Sequence, residues 1–170
     1  MEPAASASAA REHHAVEAEI TLTVRVIGLG IAAMVLLAIG LGVWRGATGA
    51  LPGKDAVAAG LTLAEVVFAA ALILLGSVVE GFGYGLSLGT RWPYTRNIVV
   101  LMLRGDPEAA HRVLATAVGL TALALAILHP GYTSYLGLGL VAATALFGMG
   151  TLYVLAGHAP AFVHGTHGLL

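Results

Sequence analysis

Residues 83–112 read GYGLSLGTRWPYTRNIVVLMLRGDPEAAHR. The end of this stretch is a helix start. Asp106 is a good N-cap, Pro107 suits a first helical position whose N–H would be unpaired anyway, and Glu108 adds negative charge where free N–H groups collect. A helix therefore begins at Pro107. Glu108 and His111 stand three apart and share a face, with Arg112 beside them. Upstream, Gly81, Gly83, Gly85 and Gly89 loosen or end whatever helix precedes them. Residues 90–106 then form the longest polar connection in the chain, with Arg91, Arg96, Arg104, Trp92 and Tyr94. Within it, Asn97–Arg104 is apolar but too short to span a bilayer, and it reads as a short helix lying in the interface.

The segments on either side of this stretch place it at a membrane edge. Apolar residues make up 58% of the 170-residue chain, charged residues only 10%, and the mean hydropathy is +0.90. The pattern predicts an all-α integral membrane protein, a bundle of four transmembrane helices at about 22–44, 57–79, 107–128 and 134–156. Residues 1–19 form a polar tail without a basic start or a cleavable apolar core, and 20–170 form a single membrane domain. Arg25 lies close enough to the end of the first span to snorkel. Arg45–Ala56 is a turn-rich loop, and the turn His129–Tyr132 stops the third span. The fourth span ends at Gly157, with Pro160 preventing a simple continuation.

A net charge of −1 without blocks of like charge gives no footprint for nucleic acid, so lipid is the expected surrounding partner, in the cell membrane. The absence of cysteine rules out disulfides, iron–sulfur clusters and thiolate zinc sites. Glu65 is a carboxylate within a span, a costly placement that marks either function or a reach toward interfacial water or a hydroxyl. Arg91, Arg96 and Arg112 suit carboxylate binding through their planar forks, or else sit in an aromatic belt with Trp92 and Tyr94. Below His111 the stripe Ala115, Gly119, Ala122 and Ala126 is small throughout, which serves close helix packing or a flat macrocycle equally well.

The order of three pieces resembles the heme A synthase family over about residues 72–170. Gly85-Leu86-Ser87 with Trp92-Pro93 resembles the family's Gly-Ser-Gly-Leu-Ser…Trp-Pro loop. Glu108-Ala-Ala-His111-Arg112 is similar to its Glu-x-x-His-Arg helix start. Gly157-His158-Ala159-Pro160-Ala161 followed by His167 resembles its Gly-x-Pro-Pro-Ala turn and second heme-ligating histidine. The resemblance implies a b- or o-type heme held by His111 and His167, with His164 and His158 as alternative ligands. It also implies propionate contacts from Arg91, Arg96 and Arg112, and a catalytic role for Glu108 and His111. The implied reaction is oxidation of the heme O methyl group to the formyl of heme A, for terminal oxidases. Family members usually have two such halves, which implies a homo-oligomer here. The chain departs from the family in lacking the loop cysteines and in carrying Glu80 where an arginine is usual.

Counting spans adds a constraint independent of any family. A tight turn joins the third and fourth spans, so His111 lies on the same membrane side as His158, His164 and His167, with His129 opposite. Two imidazoles from neighbouring segments on one side suit axial ligation of heme iron. The arginine balance would put that side in the cytoplasm, whereas the resemblance puts it outside, and the resemblance is followed here. His167, three residues from Leu170, is expected on a short stub where the family has a further membrane helix. The first span runs in that helix's direction and is expected to fill its place, which makes His13 and His14 rivals of His167. Two other readings stand beside the synthase: an electron-transferring membrane cytochrome b with a quinone partner, and a non-catalytic membrane subunit or assembly factor.

Overall fold

The computed structural model describes residues 53–93 and 97–170, with isolated positions between 18 and 41 and residues 44, 45 and 47–50. The polar tail, the expected first span at 22–44 and its place in the bundle lie outside the residues described well enough to compare. The described elements are all helical: α1 (Gly53–Gly81), α2 (Ile98–Leu103), α3 (Pro107–Leu128), α4 (Tyr132–Leu155) and α5 (Ala161–Leu169). Among them α1, α3 and α4 are long and apolar enough to cross a membrane. α1 outruns the expected 57–79 at both ends, α3 has the bounds expected of it, and α4 starts two residues early.

The surface of these helices suits lipid as its solvent. Ile73 is 71% exposed and Ile127 69%, with Val66, Leu74, Leu120 and Leu146 similarly open, far more contiguous apolar surface than a water-soluble domain carries. The interior is correspondingly slim. α1 and α3 pack antiparallel through Ala64, Phe68, Ala71 and Leu75 on one side and Ala110, Leu114 and Val118 on the other. Alanines alternate with larger residues because helices in lipid gain nothing from hiding apolar surface and depend on close van der Waals contact. Of the small residues on the stripe below His111, Ala122 and Ala126 are buried, whereas a Cβ on Gly119 would meet nothing within 4 Å.

On the histidine side, α1 and α4 end alike. Gly83 (φ 72°) and Gly157 (φ 78°) adopt the left-handed conformation, and the next residue's N–H reaches back five residues, Tyr84 to the Val79 carbonyl and His158 to that of Tyr153. This Schellman closure pairs the last carbonyls and turns the chain sharply. After α1 the chain enters the loop 82–93, in which Tyr84 packs on the α1–α3 core and Gly85 lies against Leu155 of α4. After α4 it reverses into α5, which returns antiparallel along α4. A Cβ placed on Gly150 would meet Val163, and one placed on Gly148 would meet His167. The terminal stub expected from the sequence is therefore corrected to a nine-residue helix carrying His167 in its last turn. Gly148 and Gly150 are the reason, because they clear the space that α5 occupies.

Candidate functional site

The start of α3 is built as expected and then does something further. The Asp106 side chain accepts from the Ala109 N–H at 2.8 Å, the N-cap bond that its position predicts. One turn in, Glu108 turns back to the preceding loop. Its Oε2 accepts from Ser87 Oγ at 2.9 Å and from the Leu88 N–H at 2.8 Å, while its Oε1 pairs with Arg112 Nη2. Arg112 donates in addition to the carbonyls of Gly89 and Arg91. Glu108 is 3% exposed and Arg112 8%. This buried pair fastens residues 87–91 to α3, with every polar group answered by another, as low dielectric demands. Glu108 faces the loop and its salt-bridge partner, one turn away from the His111 ring.

His111 points the other way, toward α1. Its ring lies beside the Leu72 carbonyl, and a Cβ on Gly76 would come within 3.2 Å of its Cε1. Its Nδ1 is enclosed and has no hydrogen-bond partner. His167 comes from α5 to within electrostatic reach of this ring. The His167 Nδ1 lies 3.1 Å from the Thr144 carbonyl, and since a carbonyl only accepts, Nδ1 carries the proton and Nε2 keeps the lone pair. Burial pushes the His167 pKa below the usual imidazole value, the Thr144 carbonyl opposes that, and the nearby His164 charge reinforces it. His164 donates from Nε2 to Glu80 Oε1 at 3.1 Å, and its Nδ1 is enclosed without a partner.

The sequence-predicted residues thus separate into groups. His111 and His167 come within electrostatic reach of each other, with His164 one turn from His167 on the same helix. His158 is exposed in the Gly157 turn, and Arg91 is exposed on the loop while its backbone carbonyl holds Arg112. Arg96 lies outside the described residues. His129, on the opposite side, stands 4.0 Å from Asp55 at the start of α1. Glu65 lies eleven residues before Gly76, about 16 Å along α1 at 1.5 Å per residue, with its Oε2 enclosed and unpartnered. Sequence reasoning missed Thr144, whose contribution is a backbone carbonyl that side-chain identity does not advertise. It also missed Gly76 and Gly148 as ring walls. Their signal was glycine inside long apolar spans, where it costs helix stability unless something packs closely.

Among the described residues, no group of three or more His, Asp and Glu gathers as a metal site. Imidazoles are a donor type that heme iron takes. Two are present here on separate elements, His167 held in a fixed tautomer by the Thr144 carbonyl and His111 with an enclosed Nδ1 that makes no hydrogen bond. Comparison with protein families, with curated proteins and with solved structures gives no match for this chain.

Proposed function

We propose that this chain is a heme-binding protein of the cell membrane, similar to one half of a heme A synthase, with His111 and His167 as axial ligands of a b- or o-type heme. The observation that carries the proposal is the approach of these two rings from α3 and α5, each against a glycine. A bound heme would supply redox chemistry, and in the synthase reading the oxidation of the heme O methyl group for a terminal oxidase. The protein's own part is to hold the two imidazoles, His111 against α1 and His167 against α4, and to offer cations at the rim. Of the arginines, Arg91 and Arg96 are left for propionates, since the Arg112 donors already serve Glu108 and two carbonyls. A second copy would complete the two halves usual in that family.

The electron-transfer reading gains from one observation. Glu108 is engaged by Ser87, Leu88 and Arg112, so it holds the loop and has no oxygen free for a reacting group. The test of heme binding is the absorption spectrum of protein purified from heme-replete cells, with pyridine hemochrome identification of the porphyrin. A low-spin reduced spectrum that disappears in His111→Ala is expected; a colourless wild-type protein overturns the proposal. Formation of heme A in a host that makes only heme O then separates conversion from electron transfer.

A further inference from the structure

α5 is a weakly self-sufficient element of the described chain. At nine residues it is shorter than a helix that stands alone in water, its N-cap Pro160 makes no side-chain capping bond, and none of its residues is buried. Its position therefore depends on its contacts. Three run to α4: Val163 over Gly150, the His167 ring over Gly148, and the His167 Nδ1–H to the Thr144 carbonyl. A fourth runs to α1, the bond from His164 Nε2 to Glu80.

That fourth contact differs from the others in what it aligns. Glu80 stands four residues beyond Gly76 on α1, and His164 stands three residues before His167 on α5. At 1.5 Å per residue those steps are about 6 Å and about 4.5 Å, close to one turn each. The Glu80–His164 bond and the approach of His167 to His111, which rests on Gly76, are thus two rungs at matching spacing between α5 and the α1–α3 pair. A slip of α5 by one residue along α4 would break the upper rung and turn the His167 ring by about 100° away from His111. Of the α4 contacts only the His167 Nδ1–H bond to the Thr144 carbonyl is directional, since apolar contact over glycine is not, and the Glu80–His164 bond adds a second directional constraint at the other end of α5.

We propose that Glu80 is a positioning residue, whose carboxylate fastens His164 and so sets the register of α5 and the place of His167 opposite His111. Its bearing on heme rests on the reading of His167 as an axial ligand; its effect on α5 does not. Because Glu80 is 58% exposed and His164 33%, the pair contributes modestly, about threefold to fivefold in the docked-to-undocked ratio of α5. For a short, uncapped helix such a factor governs how often His167 is in place.

The chain has no cysteine, which makes the test direct. A Cβ on Gly150 would lie 3.9 Å from the Cβ of Val163, within the range of disulfides, so Gly150→Cys with Val163→Cys reports docked α5 as an oxidation rate. In membranes containing the full chain, Glu80→Ala and His164→Ala should each slow that oxidation about threefold to fivefold, and Glu80→Gln, which keeps an acceptor, should slow it less. Equal rates in all four proteins overturn the proposal. In the second arm, Glu80→Ala should weaken the low-spin heme signature, and the oxidised disulfide should restore it by holding α5 mechanically. Loss of the signature without restoration also overturns it, because Glu80 would then act otherwise than through α5. If the oxidation rates fall as expected but the wild-type protein is colourless, the heme reading fails and the positioning role stands.

Discussion

Replacing Glu108 with glutamine asks whether this residue holds the loop or reacts. The substitution keeps one oxygen, which can still accept from the Leu88 N–H, but it places an amide N–H₂ or a neutral oxygen where Arg112 finds its carboxylate. Arg112, 8% exposed, is then a buried cation facing only the carbonyls of Gly89 and Arg91. Breaking a buried pair from one side costs about 3–5 kcal/mol, a large share of the roughly 5–15 kcal/mol that stabilises an ordinary domain. No discount for solvent screening applies, because both partners are enclosed. Arg112→Gln should cost a similar amount. The double variant should cost about 2 kcal/mol less than the sum, since neither charge is left behind. The assay is reversible unfolding in mixed detergent micelles, run as a double-mutant cycle, with hydrogen exchange of residues 83–93 followed alongside. Faster exchange of that loop should accompany the loss of stability. If Glu108→Gln leaves stability within about 0.5 kcal/mol and loop exchange unchanged while heme conversion disappears, Glu108 is a reacting group and the latch argument is wrong.

Two further outcomes follow from the seat of α5. Gly148→Ala puts a methyl 3.0 Å from the His167 Cε1, so the ring or the helix must give way; it should cost about 1 kcal/mol and raise hydrogen exchange in α5, whereas Gly119→Ala, which meets nothing within 4 Å, should do neither. His167, held neutral by burial, makes the same docking pH-dependent. With the docked pKa below the ordinary 6.5, the undocked ring binds a proton more readily, so docking is at full strength above 6.5 and weakens as pH falls through it. Exchange of the α5 amides, corrected for intrinsic rates, should therefore accelerate between about pH 7 and about pH 5 and stay level between about pH 7 and about pH 9, and an acceleration confined to the alkaline side would refute the assignment.

The amino-acid sequence by itself determined the spans, the start of α3 and the sidedness of the histidines. Each is written locally or follows by counting. Apolar runs long enough to cross hydrocarbon specify α1, α3 and α4, an Asp-Pro-Glu triplet specifies where α3 begins, and a tight turn after His129 puts both ends of the α3–α4 pair on one side. The direction in which the polar side chains look was decided by tertiary structure. Glu108 and His111 share a helix face by spacing, yet Glu108 closes on a loop about twenty residues upstream and His111 on a glycine of α1. Spacing along a helix constrains which residues are neighbours, but it says nothing about which partner fills the space beside them. A buried carboxylate settles on whatever donors packing presents, and here those are Ser87, Leu88 and Arg112. α5 was hidden for a related reason. Its sequence is short, glycine-containing and rich in histidine, and carries little helical signal of its own. It exists where it does because Gly148 and Gly150 open a groove on α4, and because Thr144 and Glu80, 23 and 84 residues away from their partners, offer acceptors at its far and near ends.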